Sequence, residues 1–189
     1  MIIFLSLLKT LKNQKGIKRQ LKRTRGLNYS SKSDIISFFE DDKVTIALIT
    51  DMHFGARNDS VLFLDYYEKF YSETFFPEIE KQNIKNIIIL GDTFDRRKYV
   101  NYQTLQRTKE MFFDKCVEGG IQVYMIIGNH DTYYKNTNEV NSINLLLSSY
   151  WNITVIDNPT TLTINDEEIC LIPWICADNY QNCIDEINN

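Results

Sequence analysis

The sequence predicts an α/β fold built on a central parallel sheet, and two observations carry that expectation. From residue 44 onward, short apolar, β-branched runs alternate three times with longer amphipathic segments, the order that parallel strands with helical crossovers produce. Each of the first three runs also stops at a polar cluster: Asp51-Met52-His53, then Gly91-Asp92-Thr93-Phe94-Asp95, then Gly128-Asn129-His130-Asp131. In a parallel sheet those three ends share one edge, which is where ligands of open α/β sheets bind.

Taken in order, Val44 to Thr50 reads as the first strand and Ser60 to Lys81 as the first helix. In that helix Phe63, Tyr66, Tyr67, Phe70 and Tyr71 sit at i, i+3, i+4, i+7 and i+8, a broad stripe expected to face the core. The same rings are also candidates for stacking on bases. Asn86 to Leu90 is a strand whose apolar run, Ile87 to Leu90, suits burial on both faces. A helix follows over Tyr102 to Val117, with Leu105, Thr108, Phe112 and Cys116 on one face and Gly119-Gly120 closing it. Ile121 to Ile127 is the third strand, and Asn138 to Tyr150 reads as a helix with Val140, Ile143, Leu146 and Leu147 inward. Ile153 to Ile156 is a short strand; Thr160 to Ile164 and Glu168 to Ile172 form a hairpin around Asn165-Asp166. After Pro173-Trp174, a last helix is expected over Asp178 to Ile187.

Composition is that of an ordinary globular chain, with 43% hydrophobic and 24% charged residues. Its charge is uneven. Nine of the 21 Lys and Arg lie at or before Lys32, where there is no Asp or Glu, leaving 12 cations against 25 carboxylates from Ser33 onward, a formal −13. The part from residue 44 to 189 therefore has no overall basic footprint for nucleic acid, and any polyanion must be met by local cations, bound metal or a partner. Residues 1–43 form a basic extension, read as a disordered tail or an amphipathic helix. Its cations follow its apolar run, the reverse of a secretory leader, and a transit peptide fits its composition. No apolar run approaches the ~20 residues needed to span a bilayer. Cys116, Cys170, Cys176 and Cys183 show no zinc spacing. They are expected to be free thiols in a reducing compartment, with Cys116 and Cys170 in the core.

The three strand ends supply carboxylate, imidazole and amide oxygen, a mixed set suited to Mn²⁺, Fe²⁺ or Zn²⁺ and not to a thiolate site. Taken singly, each has a plain structural reading: His53 a hydrogen-bonded loop residue, Asn129 a turn residue, Asp51 a helix cap. Taken together they do not, because the chain has two histidines and both directly follow strand ends beside these carboxylates.

These motifs resemble the first three of the calcineurin-like metallophosphoesterases. Within that superfamily, Gly91 to Arg97, Gly128 to Asp131 and Leu171-Ile172-Pro173-Trp174 are most similar to SbcD-type nuclease subunits of phage recombination endonucleases. The resemblance covers Val44 to the end of the chain. It implies a layered αββα sandwich of mixed sheets and a two-metal phosphodiesterase that cleaves DNA in recombination, repair or replication, exo- or endonucleolytically. Its cofactor would be two divalent ions, Mn²⁺ first, with Mg²⁺, Fe²⁺ or Zn²⁺ as alternatives. Its partners would be DNA and an SMC-like ATPase subunit, with homodimerisation open, in the cytoplasm, a host's if the protein is of phage origin. By the same resemblance Asp51 and His53 hold one ion, Asp92 bridges, and Asn129 holds the second. His130 acts near the leaving oxygen, and Asp95 orients and charge-stabilises it. Arg96 and Arg97 meet substrate phosphates or form a solvated basic loop. The family also supplies three further histidines downstream, which this sequence lacks. The expectation is therefore a chain incomplete at its C-terminus that binds metal weakly and is inactive by itself. Two alternatives are another enzyme of the superfamily, a protein phosphatase or cyclic-nucleotide phosphodiesterase, and an inactive subunit with a binding role only.

Overall fold

The structure is a computed structural model that describes residues 46–165 and 167–188. The basic extension, 1–43, lies outside the described residues.

Four strands, β1 (Ile46–Ile49), β2 (Asn86–Ile89), β3 (Gln122–Ile126) and β4 (Ile153–Ile156), pair in the order β1-β2-β3-β4. Every pairing is parallel. All four residues of β2 are buried, as its unbroken apolar run requires of a central strand covered on both faces. A second sheet is the antiparallel hairpin β5 (Thr160–Ile164) and β6 (Glu167–Leu171). Asn165 takes φ 51° at its turn, a conformation asparagine tolerates.

The pleat sends alternate residues to opposite faces. Ile88 and Ile156 pack with Ile164 and Leu171 of the hairpin, joined by Ile46, Leu48, Tyr124 and Ile126. Their sequence neighbours, among them Ile87, Ile89, Val123 and Met125, are fully buried and so point to the other face. The two sheets thus stack face to face, the layered arrangement expected from the sequence. Among the described residues the larger sheet is wholly parallel and the smaller antiparallel, so the mixture lies between the sheets and not within one.

On the far face lie two helical rods. The first runs through α1 (Val61–Phe70), a π turn (Tyr71–Phe75) and α2 (Phe76–Lys81). The second runs through α3 (Tyr102–Thr108), a π turn (Lys109–Phe113) and α4 (Asp114–Glu118). Phe112 is fully buried, with ring centroids of Tyr71, Phe75 and Phe76 at 5.0, 5.8 and 5.7 Å. Asn101 caps α3, its side chain accepting from the Gln103 and Thr104 amides. Two further helices are α5 (Ser142–Leu147) and α6 (Tyr180–Asn188).

Two expectations are corrected here. The inward stripe of the first rod is Leu64 and Tyr67 of α1 with Tyr71 of the π turn, at i, i+3 and i+7, whereas Phe63, Tyr66 and Phe70 are exposed. Aromatic bulk made the neighbouring positions look like the buried face; a smaller residue, Leu64, takes it. The helix expected over Asn138 to Tyr150 begins only at Ser142. Buried Asn138 donates to the carbonyl of Trp174, and Asn141 donates to the Asn138 carbonyl while capping α5 through the Asn144 amide. Asparagines that bond backbone in this way compete with helix formation, which leaves Val140 exposed. All four cysteines are free. Cys116, Cys176 and Cys183 are buried, while Cys170, expected in the core, is half-buried.

Candidate metal centre

Beyond its last ladder residue, β1 does not part from β2. The Asp51 amide donates to the Gly91 carbonyl at 3.3 Å, His53 to Asp92 at 3.0 Å and Phe54 to Thr93 at 2.9 Å. The Asp95 amide returns to Phe54 at 3.0 Å. The first two motifs thus lie side by side as one zipped pair of loops. Motif three is brought in by glycine. A Cβ on Gly91 would lie 2.7 Å from the Gly128 Cα, and one on Gly128 only 2.3 Å from the amide nitrogen and Oδ1 of Asp92. Both positions need the absence of a side chain, and Gly91 also has φ 92°, which favours glycine.

Asp131 locks the contact. It is fully buried, and its carboxylate accepts four backbone N–H groups. Oδ2 takes those of Asp92 and Gly128, both at 2.9 Å, and Oδ1 takes those of Thr93 at 3.0 Å and Phe94 at 3.4 Å. Burial pushes this carboxyl up to about 6, against the pull of those amides. In return, Asp92 Oδ1 accepts the His130 amide at 2.8 Å. The two loops are stitched from both sides. Nothing in the sequence singled out Asp131 beyond its place at the end of the third motif, because a strut is visible only once the four amides are seen to converge.

On this frame Asp51, His53 and Asp92 each present one ligand atom, all within 4.8 Å of one another. His53 Nε2 stands 3.6 Å from Asp51 Oδ1 and 4.0 Å from Asp92 Oδ2, too far for hydrogen bonds. The spacing suits a shared ion, since donors each about 2.1 Å from a cation lie roughly 3–4 Å apart. A third carboxylate, Asp95, stands 3.5 Å from His53 Nδ1. Among the described residues, no Lys or Arg pairs with any of these three acids. Unpaired carboxylates in one cleft repel one another, and a divalent cation relieves that repulsion. Three of the residues, Asp51, His53 and Asp92, also have φ between 45° and 53°. Strained backbone of this kind clusters at functional sites. The donor set and its spacing therefore fit a metal ion.

The remaining candidates fall around this trio. Asn129 is half-buried between Gly128 and His130. The His130 ring stands edge-on to that of His53, centroids 4.8 Å apart. Asp95 does reach His130, but through its backbone: the Asp95 carbonyl lies 2.6 Å from His130 Nδ1. A carbonyl can only accept, so Nδ1 carries the proton and Nε2 of the neutral ring is left as the acceptor. The Asp95 carboxylate instead faces His53. Tyr67 borders the same acid; burial, and after it the Asp95 charge, raises its phenol.

Arg96 and Arg97 have intramolecular partners. Arg96 donates to Asp59 Oδ2 at 2.8 Å and Asn58 Oδ1 at 2.7 Å, and Asp59 Oδ1 also accepts from Thr104. These bonds clamp Arg57, Asn58 and Asp59, three consecutive residues in left-handed backbone. Arg97 donates to Thr132 and to the Tyr134 carbonyl, with its guanidinium 4.9 Å above the Trp174 ring. Neither tie was legible from the run of cations alone.

The profile of the calcineurin-like phosphoesterase family matches residues 44–188. Among curated proteins the chain is similar to exonuclease subunit 1 of Enterobacteria phage T4, with 36% identity over 108 residues. That alignment covers 57% of this chain and 32% of the phage protein, so the chain spans about a third of the length of this relative. Among solved structures it is similar to the Pseudomonas putida nuclease MPE. That match has a TM-score of 0.43 and 21% identity, and covers 62% of this chain and 50% of the other. Among the described residues, no helix is long and apolar enough to cross a membrane.

Proposed function

The chain belongs to the calcineurin-like phosphoesterase family, and on that premise we propose that it is part of a metal-dependent DNA nuclease subunit. Its reaction is hydrolysis of phosphodiester bonds in DNA recombination, repair or replication. The observation that carries the substrate class is the 36% identity to a phage exonuclease subunit; the trio Asp51, His53 and Asp92 carries the metal dependence. In this reading the protein works in the cytoplasm, a host's if it is of phage origin, beside an SMC-like ATPase subunit, with homodimerisation open.

Asp51, His53, Asp92 and Asn129 would hold two divalent ions, with Mn²⁺ as the preferred metal. Bound there, the ions supply Lewis-acid charge to the phosphoryl oxygens and acidify water. The chain's own residues do the rest. Asp131 and the zipped loops hold Asp92 and His130 in register before any ligand arrives, which lowers the reorganisation needed during the reaction. With Nδ1 committed to the Asp95 carbonyl, His130 is left with Nε2 to hold or pass a proton at the leaving oxygen. The Asp95 carboxylate, 3.5 Å from His53 Nδ1, is placed to become an outer partner of that metal ligand once the gap closes to hydrogen-bond distance. Arg96 and Arg97 already have internal partners, so their contribution to substrate phosphate is through their combined field.

The test is hydrolysis with Mn²⁺ of linear DNA and of p-nitrophenyl phosphate, by this chain and by any longer product of its reading frame. DNA cleavage by the longer product that disappears in its Asp92→Asn variant is the expected result. Robust turnover of the phosphomonoester with DNA left intact points to another enzyme of the family and sinks the nuclease reading.

A further inference from the structure

The turn that carries Asn129 and His130 is anchored on both sides by residues outside it. Just before it, the Trp174 amide donates to the Ile127 carbonyl at 2.7 Å. Just after it, the hydroxyl of fully buried Thr132 donates to the Asn129 carbonyl at 3.5 Å and accepts from Arg97 at 3.3 Å. Arg97 also donates to the Tyr134 carbonyl at 3.4 Å, and its guanidinium lies 4.9 Å from the Trp174 ring centroid. Trp174 is itself held, its carbonyl accepting from Asn138 and Asn179, both at 3.0 Å. One side chain, two residues beyond Asp95, therefore ties the second motif's loop to the third motif's loop and both to the segment that follows the hairpin.

The three hydrogen bonds that run through Arg97 and Thr132 are all long, so none of them holds the turn by itself. The hold is collective, and it depends on the shape of the guanidinium. A planar fork lies on an aromatic ring while one of its NH₂ groups donates in two directions; a lysine ammonium, a point charge on a flexible stem, does not reproduce that geometry. The neighbouring cations serve as contrasts. Arg96 is paired with Asp59. Lys98 is exposed, stands 5.4 Å from the Tyr133 ring centroid and, among the described residues, forms no ion pair. Lys98 thus carries the same charge as Arg97 without its contacts.

We propose that Arg97 is a positioning residue of the metal centre, latching the Asn129–His130 turn to the Trp174 platform and acting by its shape and not by its charge. The proposal rests on the reading of Asn129 as a metal ligand, and it assigns Arg97 a task other than meeting substrate phosphate.

Charge and position predict opposite signs. By charge alone a guanidinium beside the centre opposes a divalent cation, so removing it should tighten metal binding; if it is a latch, removing it should loosen binding. Calorimetric titration of the full chain with Mn²⁺ reads that sign. Arg97→Ala should weaken binding about 10-fold, the lower end of the range for losing an outer partner of a metal ligand, because Arg97 acts one bond further out. Arg97→Lys, which keeps the charge, should not restore it, and Lys98→Ala should leave binding unchanged or slightly tighter. Thr132→Val should also weaken binding, and the double variant with Arg97→Ala should lose no more than Arg97→Ala alone, since the two side chains share one path. Amide hydrogen exchange in EDTA gives a readout without metal: Arg97→Ala should speed exchange at Gly128 and His130 and leave β2 protected. Unchanged or tighter Mn²⁺ binding in Arg97→Ala, full recovery in Arg97→Lys, or additive losses in the double variant overturns the proposal. Faster exchange at Gly128 and His130, in a protein that binds no Mn²⁺, leaves Arg97 as the latch of the turn and removes the metal reading. Mn²⁺ binding with exchange unchanged at those amides does the reverse.

Discussion

Asp131→Asn is the most informative single change, because it preserves shape and alters only what one atom can accept. The native carboxylate takes two backbone N–H groups on each oxygen. An amide can offer oxygen on one side only, so its NH₂ must face two donors. Turned towards Asp92 and Gly128, it strands two amides that were bonded at 2.9 Å. Turned the other way, it strands those of Thr93 at 3.0 Å and Phe94 at 3.4 Å, the cheaper choice because one bond is already long. Each stranded buried donor costs about 1–3 kcal/mol, so the loss should be roughly 2–6 kcal/mol, with Asp131→Ala, which strands all four, at or above that range. Urea unfolding followed by far-ultraviolet circular dichroism at neutral pH measures it directly. A loss below about 1 kcal/mol for both variants would refute the reasoning, since it would mean that the four amides find other partners and that Asp131 is not the strut.

Other consequences can be checked in the same way. Gly128→Ala places a Cβ 2.3 Å from the Asp92 amide nitrogen and Oδ1, so it should push Asp92 aside and abolish Mn²⁺ binding in calorimetry even if the fold survives. Phe112→Ala empties the centre of the aromatic cluster between the two π turns and should cost about 3–5 kcal/mol in urea unfolding; Phe112→Leu should recover much of that loss. Burial pushes the Cys116 thiol up to about 12. At pH 8 it is therefore a neutral thiol, and thiolate appears only well above that pH, so Ellman's reagent should modify Cys116 only after unfolding. Arg96→Ala removes the clamp on the left-handed turn at Arg57 to Asp59 and should increase amide hydrogen exchange there while leaving β2 protected.

The sequence-to-structure relation divides by what kind of interaction fixes each feature. The parallel strands were legible from their short, largely apolar runs, clearest in β2, which is buried throughout, and the metal trio because its members sit just after the first two of those runs. The inward face of α1 was not legible, since Phe63, Tyr66 and Phe70 are as apolar as Leu64 and only the packing against Phe54 and Phe112 selects among them. The start of α5 was missed because the amides of Asn138 and Asn141 reach carbonyls as far away as Trp174. Asp95 was tied to His130 from the start, but which of its oxygens makes the contact is decided by loop conformation, which periodicity does not encode. The partners of Arg96 and Arg97 are likewise 35 or more residues away.

These misses share a cause that bears on the chemistry. The residues that carry the proposed reaction are held by backbone, not by one another. Asp51, His53 and Asp92 occupy left-handed conformations that cost about 1–3 kcal/mol each, and their unpaired carboxylates add repulsion. Such an arrangement persists only if something else fixes it. Here that is the run of amide–carbonyl bonds carrying β1 past its end along β2, together with the four amides on Asp131. A cation held there would relieve a charge conflict that folding has already set in place, and part of its binding free energy would be the release of that conflict.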